Sequence, residues 1–284
     1  MKNKLFSVIL VVVFVAGLSL LLYPTISNAY NTWLQSKTIA EYSQQANQMD
    51  QAMYEKELEK AKAYNAALLE RADPYTLTQQ LQEQYENTLA VTSQGIMAYV
   101  QIPSIDVTLP IAHGTSESVL KDKIGHLEWS SLPVGGENTH CVISGHRGLP
   151  SAELFTNIDH LELGDKFYIH VLGKSLEYQV CNIAVVEPQD QRLLRVEEGQ
   201  DLVTLVTCTP YGINSHRLLI RGIRTGAGSS QQGQELFIKN EITAVDVVVL
   251  VSVILVAVAV VVFVTVLLRS KKKKGGQPDE KMDK

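Results

Sequence analysis

The sequence is poor in cysteine. Only Cys141, Cys181 and Cys208 occur among 284 residues, which is too few for a disulfide scaffold. The sequence contains no C-x2-C or H-x3-H spacing, so it gives no support to a zinc site. Cys141 and Cys181 lie in strand-like stretches, either as buried thiols or as a disulfide pair. In both cases one cysteine is left over and requires an explanation.

The sequence has no internal repeat, and its long apolar runs are confined to the two ends. Residues 5–23 and 247–268 carry no charge, and roughly 20 apolar residues span a bilayer as a helix. We therefore expect two transmembrane helices. The alternative for residues 5–23 is a secretory signal cleaved after Ala29. The run is longer than the usual signal core, which favours an uncleaved anchor.

The charged residues indicate how the chain is oriented. Residues 1–4 contain two lysines and precede the first run, and residues 269–284 begin with a basic cluster after the second. Because cationic flanks stay in the cytoplasm, residues from about 24 to 246 are predicted to be outside. This outer part holds 16 basic and 27 acidic residues, a net charge of −11. That charge argues against nucleic acid as a partner.

Between the two spans the composition changes from helical to β-rich. Residues 24–95 form a predicted extracellular helical segment, in which residues 38–71 lack Pro and Gly and favour helix. Residues 96–224 contain short β-rich runs separated by turns, which predict a barrel or sandwich. Residues 225–246 are a predicted linker. The candidate strands are 98–101, 107–111, 140–144, 166–171, 175–185, 202–208 and 217–223, and a short helix is expected at 149–161.

Cys208 ends one of these candidate strands and precedes a loop that begins with Thr209 and Pro210. A side chain at the end of a strand can face a cleft while its backbone stays rigid, which a nucleophile needs. Cysteine is also among the most buried residue types, so a core thiol is the alternative.

Two other residues favour the nucleophile. Arg217 opens the next strand, and an antiparallel return would bring its guanidinium near the sulfur, where it can stabilise a thiolate or an oxyanion. His146 follows another strand within Ser-Gly-His-Arg-Gly, and a nearby histidine lowers a thiol pKa and can protonate a leaving amine. The other histidines are interpreted as structural: His113, His126, His140, His160, His170 and His216.

Three segments closely resemble the class C sortases, the pilin-polymerising transpeptidases of Gram-positive bacteria. The segments are VISGHRGLPSAELFTNIDHLELGDKFYIHVLG, VTLVTCTPYGINSHRLLIRG and RADPY. The resemblance covers roughly residues 40–225, and residues 204–208 match the family's TLxTC signature. It implies a mainly β fold, a closed sortase-type barrel of about eight strands with N-terminal helices outside it.

The resemblance also implies a reaction. Cys208 would be the nucleophile, His146 the general acid or partner base, and Arg217 the group that orients substrate and stabilises the oxyanion. Thr204 and Thr207 are expected to contact substrate. The substrate would be an LPxTG-like sorting signal, cleaved between Thr and Gly through a thioacyl enzyme and transferred to a lysine amine of a pilin subunit. Neither a metal nor an organic cofactor is required.

Asp73, Pro74 and Tyr75 resemble the lid of class C sortases. In that lid an Asp-Pro-aromatic triplet directs its acid at the catalytic arginine and its ring at the cysteine, whereas a plain turn that ends a helix is the alternative. The familiar aromatic is Trp or Phe, and Tyr75 departs from that. The resemblance predicts an Asp73–Arg217 ion pair and a Tyr75–Cys208 contact in the resting enzyme.

Two other functions fit parts of the same sequence. A housekeeping sortase would attach single proteins to cell-wall peptide, but the lid triplet and the C-terminal span favour the pilus class. A non-catalytic exported sensor or assembly scaffold would keep its function after Cys208→Ala, whereas a transpeptidase would lose it.

Overall fold

A computed structural model describes residues 2–227 and the isolated residues 252 and 256. Most of the predicted linker, nearly all of the second apolar run and the basic C-terminal tail lie outside the described residues. The helices and strands are α1 Lys2–Gln48, α2 Gln51–Leu69, α3 Gln79–Glu86, β1 Ile96–Ile102, β2 Val107–His113, α4 Glu117–Leu120, β3 Ile124–His126, β4 Thr139–Ser144, β5 Lys166–Val171, β6 Lys174–Val186, β7 Asp201–Thr209 and β8 His216–Ala227.

Helix α1 continues past the first apolar run without a break, although Pro24 lies inside it. Among the described residues, one helix segment, Val12–Gln48, is long and apolar enough to cross a membrane, and its apolar part is not buried against the protein. The boundary expected at residue 23 therefore falls within one continuous helix. Its last turns pack on the barrel.

The single helix expected at 38–71 is divided into α1 and α2. The division occurs at Met49 and Asp50, where the Asp50 carboxylate accepts a hydrogen bond from the Met53 amide at 2.7 Å and caps the start of α2. A side-chain cap of this kind satisfies a backbone donor that a new helix leaves unpaired. The helix content was predicted, but the cap within it was not.

The eight strands close into a barrel in the order β1-β2-β3-β4-β7-β8-β6-β5, as the resemblance implied. The β2–β3 and β4–β7 pairs are parallel and the other six pairs are antiparallel. Because side chains alternate along a strand, one set fills the barrel and the other lies on its outer face. The parallel β4–β7 pair brings the ends of these two strands to the same edge of the barrel.

The N-terminal helices pack against the outside of the barrel through buried tyrosines. The Tyr42 hydroxyl of α1 donates to the Met97 carbonyl at 2.8 Å and accepts from the Leu172 amide at 3.0 Å. Tyr64 of α2 and Tyr85 of α3 are also almost fully buried. A buried tyrosine needs a partner for its hydroxyl, and these partners position the helices on the barrel.

The prediction of a short helix at 149–161 is wrong. The segment is a loop that contains only a single 3-10 turn, Ile158–His160. Its apolar side chains fill the barrel end instead, since Leu154, Phe155 and Ile158 are nearly inaccessible. The apolar spacing of the loop therefore reflects burial without a helix.

Asn65 of α2 connects the helix to the barrel in a buried position. Its side-chain amide accepts from the Leu132 amide at 2.7 Å and donates to the Leu132 carbonyl at 3.2 Å. Asn65→Ala leaves both backbone groups without partners, so we expect it to lower the free energy of unfolding by about 2–3 kcal/mol. Urea titration of the full-length chain in detergent measures this. Asn87→Ala removes only an exposed bond to the Glu83 carbonyl, and a loss as large there would contradict the assignment.

Three buried histidines make the fold sensitive to acid. Burial lowers the pKa of His126 to about 3 and the pKa values of His140 and His170 to about 4. The unfolded chain takes up these protons near the ordinary pKa of about 6.5, so it binds more protons than the folded chain between about pH 6.5 and 4. Stability is therefore complete above pH 6.5 and falls as the pH decreases through this window.

When the pH falls from 7 to 5, we expect proton uptake by each of these histidines in the unfolded chain to lower the free energy of unfolding by roughly 1–2 kcal/mol. Urea unfolding midpoints at the two pH values measure the change. A midpoint that is constant or rises toward pH 5 would contradict the prediction.

Candidate active site

The site forms where β4 and β7 end side by side. In this parallel pair Ser144 lies beside Val206, the Gly145 amide donates to the Val206 carbonyl at 3.0 Å, and the Thr207 hydroxyl donates to the Gly145 carbonyl at 2.8 Å. His146 follows Gly145 directly and Cys208 follows Thr207 directly, so each residue comes one position after the hydrogen bond that joins the two strand ends. The sequence placed each residue at a strand end but did not predict that the two strands are neighbours.

Arg217 lies opposite Cys208 on the other side of β7. The two residues are direct partners in the antiparallel β7–β8 register, and opposite residues of an antiparallel pair direct their side chains to the same face. The predicted antiparallel return is confirmed. Cys208 and Arg217 are both half-buried, so they are accessible at the barrel edge.

The three cysteines differ in their surroundings, and all three are free thiols. Cys141 points into the barrel, where burial raises its pKa well above the ordinary value. Cys181 is exposed on β6, and its thiol donates to the Arg221 carbonyl at 3.5 Å. Cys208 is half-buried and is paired with Arg217 across the β7–β8 register. The disulfide that the sequence left open is absent, since Cys141 and Cys181 are unpaired.

His146 lies in a loop whose backbone is held on both sides. The His146 carbonyl accepts from the Phe155 amide at 3.1 Å. At Gly145 an added Cβ would lie 2.7 Å from both Ile124 and Phe155, so only glycine fits there. The next residue, Arg147, pairs with Asp159 and lies over the Tyr211 ring, 5.7 Å from its centre. Within residues 2–227 the His146 ring has no hydrogen-bond partner, which leaves it available for proton transfer.

The predicted catalytic residues share the barrel's outer face with a small apolar group, the outer-face cluster. Its buried members are Val142, Leu194, Val206 and Leu219, and Leu127, Trp129, Val186 and Leu193 pack against it. Val206 and Cys208 are two residues apart on β7, as are Leu219 and Arg217 on β8. The alternation of side chains therefore continues this apolar surface up to the thiol.

The β6/β7 loop, residues 187–200, is fastened over this face by polar contacts. The His140 Nδ1 donates to the Arg195 carbonyl at 2.7 Å, and its Nε2 accepts from the Thr204 hydroxyl at 2.7 Å. Arg221 donates to the Glu197 carboxylate at 2.6 Å and also to the Leu193 carbonyl. These contacts make the loop a fixed wall beside the outer-face cluster.

Tyr75 of the lid triplet docks on this wall. Its hydroxyl donates to the Gln191 carbonyl and accepts from the Arg195 Nε, each at 3.2 Å. Its ring meets Trp129 edge-on, with ring centres 5.1 Å apart. The segment thus lies against the same wall and the same cluster as the predicted catalytic residues. The Tyr75–Cys208 contact stays a prediction.

The predicted Asp73–Arg217 ion pair is wrong. The Asp73 carboxylate accepts from the Tyr75 amide at 3.0 Å and the Thr76 hydroxyl at 2.5 Å, and the hydrogen bond from Thr76 contributes most to lowering its pKa. Arg217 instead donates to the carbonyls of Asn214 and His216. The acid is used locally, in the turn that short polar side chains favour, and Pro74 follows it as an exposed residue.

Thr204 and Thr207, which were expected to contact substrate, are each about 1% exposed. Thr204 holds His140 and Thr207 holds the strand end that leads to His146. Both residues therefore hold the strands that carry the site. Direct contact with a substrate stays a prediction.

Several residues of the site were not predicted from the sequence. Arg195, Trp129 and Tyr211 occur in loops without a recognisable motif, and their positions depend on contacts across the chain. Among the described residues no group of three or more His, Cys, Asp or Glu could hold a metal ion.

The chain is similar to known proteins of one family. A family model described as "Sortase domain" matches residues 100–225. Sortase C1 from Streptococcus agalactiae is 45% identical, with a TM-score of 0.65, over 67% of this chain and 98% of that one. Sortase C of Streptococcus pneumoniae, described with regard to catalysis and pilin substrate specificity, is 45% identical, with a TM-score of 0.60, over 68% and 98%. A lid mutant of sortase A from Corynebacterium diphtheriae is 39% identical, with a TM-score of 0.60, over 64% and 98%.

Proposed function

Because this chain belongs to the sortase family of cysteine transpeptidases, we propose that it cleaves an LPxTG-like sorting signal and transfers the acyl group to a lysine of a pilin subunit. The observation that carries the proposal is the alignment of three strand ends. Cys208 lies opposite Arg217 in the β7–β8 register, and His146 follows the end of β4, which pairs with β7 just before Cys208.

In the first step the Cys208 thiolate attacks the carbonyl carbon of the Thr–Gly bond. Arg217 donates to the resulting oxyanion, a charge that a positioned cation stabilises strongly. The C–N bond then breaks, and His146 in its protonated form gives its proton to the departing glycine nitrogen. The products are a thioacyl enzyme on Cys208, a neutral His146 and a released C-terminal tail.

In the second step a lysine amine replaces the sulfur. The ammonium gives one proton to His146, and the neutral nitrogen attacks the thioacyl carbon. The C–S bond breaks, and the second proton passes from nitrogen to the Cys208 sulfur. The result is an isopeptide bond. The Cys208 thiol then loses its proton to solvent, which regenerates the Cys208 thiolate beside a protonated His146.

The sorting signal is proposed to bind along the outer-face cluster. Its Leu and Pro side chains match the apolar floor formed by Val142, Val206 and Leu219. In the resting enzyme Tyr75 stands at this surface, so the lid triplet must leave before the signal binds. Support for a lid comes also from the similar sortase A of Corynebacterium diphtheriae, of which a lid mutant has been solved.

The chain is proposed to cross the membrane twice, with its catalytic barrel outside and both termini in the cytoplasm. The unburied apolar part of α1 supports the first crossing. Ser252 and Val256 belong to the second apolar run, and they line an apolar cavity of about 460 Å³ together with α1 residues such as Leu18 and Leu22. That proximity supports two neighbouring spans.

Incubation with candidate pilins, followed by mass spectrometry of cross-linked peptides, tests the proposal. We expect an isopeptide bond between the threonine of a cleaved sorting signal and a lysine of a second pilin, repeated in a ladder of polymers. A single protein joined to wall peptide would identify a housekeeping enzyme instead. Intact pilins would contradict any transpeptidase function under these conditions.

A further inference from the structure

A second cleft borders the segments that follow His146 and Cys208, and nothing in the reaction described so far uses it. The cleft has a volume of about 830 Å³ and lies between α1, the start of β2 and the loop after β4. Gly148 and Tyr211 are among the residues that line it. Gly148 is two residues after His146, and Tyr211 is three residues after Cys208. None of the residues that Tyr75 contacts lines this cleft.

The walls of the cleft are held by specific hydrogen bonds between α1 and the loop after β4. The Ser27 hydroxyl and the Asn31 amide both donate to the Ser151 carbonyl, at 3.1 and 2.7 Å. The Asn28 side chain accepts from the Glu153 amide at 2.9 Å. The shape of the cleft is therefore built into the fold, since these bonds join segments more than 100 residues apart.

The cleft is suited to a cation. Its lining contains two charged side chains, Asp106 and Glu153, and both are acidic. The Glu153 carboxylate accepts from the side-chain amides of Asn28 and Asn157, which fixes its position. The Asp106 carboxylate is exposed and makes no hydrogen bond to any residue within 2–227. The one nearby cation, Arg147, is paired with Asp159 and covered by Tyr211.

We propose that this cleft binds the acceptor, a polypeptide segment that carries a lysine, and delivers its amine to the thioacyl carbon from the His146 side. The inference rests on the proposed function, because only a transpeptidase needs an amine there. The two substrates then approach over separate surfaces: the sorting signal along the outer-face cluster, and the acceptor lysine past Glu153 and Tyr211. His146 precedes Gly148 of the cleft lining by two residues, and in this proposal it takes the proton that the ammonium must lose.

The test separates the two half-reactions of the full-length chain in detergent. Thioacyl formation is measured by intact mass with an LPxTG peptide. Transfer is measured with a blocked hexapeptide containing one lysine and, separately, with hydroxylamine, a small amine that is neutral at pH 7. In the double variant Asp106→Asn/Glu153→Gln, the lysine peptide concentration for half-maximal transfer should rise about fivefold to tenfold, since each exposed charge contributes up to about 1 kcal/mol. Thioacyl formation and transfer to hydroxylamine should stay within twofold.

A matched control removes two carboxylates elsewhere. Glu117 and Glu137 are exposed and outside the cleft, so Glu117→Gln/Glu137→Gln should leave all three measurements unchanged. Equal half-maximal concentrations for the cleft variant and this control would overturn the proposal, as would a parallel loss with hydroxylamine or a weaker use of the LPxTG peptide. If the unaltered chain forms no thioacyl enzyme, the proposed function fails first, and the acceptor cleft fails with it.

Discussion

Replacing Cys208 with alanine is expected to abolish both thioacyl formation and transfer, a loss of about 10⁴-fold or more. The expectation follows from the loss of the nucleophile, which no neighbouring group can replace. Cys141 is buried inside the barrel, and Cys181 lies on β6 away from His146. The rate of release of the tail from an LPxTG peptide, measured by chromatography, gives the magnitude.

The chain supplies its own control for this prediction. Cys181→Ala removes an exposed thiol of the same chemistry, and we expect the rate to stay within twofold. Arg217→Ala should lower the rate by about 10²–10³-fold, as removal of an oxyanion donor does. If Cys208→Ala retained function while the fold was intact, the non-catalytic sensor or scaffold would be the better interpretation.

Removing the Tyr75 ring is expected to expose the resting thiol. Tyr75→Ala deletes the edge-on contact with Trp129 and both hydrogen bonds of the hydroxyl. Net contributions of about 0.5–1.5 kcal/mol for each interaction predict that Cys208 reacts with a small alkylating reagent about 10–100-fold faster. Mass spectrometry of the alkylated chain at successive times measures the rate.

The same measurement distinguishes two mechanisms of lid closure. If the Tyr75–Arg195 hydrogen bond holds the lid, Arg195→Gln and Tyr75→Phe should each raise the alkylation rate about threefold to tenfold. Asp73→Asn should change it less than threefold, since the amide oxygen can still accept from the Tyr75 amide and the side-chain NH2 can donate to the Thr76 hydroxyl. Arg192→Gln is the matched control, because Arg192 pairs with Asp190 and does not contact Tyr75.

The opposite ranking of these alkylation rates would mean that the Asp73 carboxylate holds the lid closed. A large increase for Asp73→Asn together with none for Arg195→Gln would contradict the contacts described for Tyr75. A rate that is unchanged even in Tyr75→Ala would mean that the triplet is only the turn after α2, with no shielding role.

How much of the site can be predicted from the sequence depends on how far apart along the chain the interacting residues are. The Cys208–Arg217 pairing was predictable because eight residues separate them and a short loop between strands returns antiparallel. The proposed proximity of His146 and Cys208, which are 62 positions apart, depends on the parallel β4–β7 pair, and no local pattern specifies that pair. There the family resemblance, and not the residues alone, supplied the prediction.

Local competition explains two of the corrections. The Asp73 carboxylate accepts hydrogen bonds from the Tyr75 amide and the Thr76 hydroxyl within its own turn. An ion pair with a distant arginine would therefore add little stabilisation. The long helix at 38–71 is interrupted because Asp50 can cap a new helix start. Composition averaged over many residues predicts neither outcome, since each depends on one side chain and its nearest backbone donors.

The central claim is that Cys208 carries the acyl group between donor and acceptor. The most direct measurement is intact and peptide-level mass spectrometry of the full-length chain, quenched in acid during reaction with an LPxTG peptide and no amine. We predict a mass increase equal to the peptide cleaved after its threonine, located on Cys208. An adduct on Cys181 or Cys141, or tail release with no adduct on any cysteine at any time, would contradict the claim.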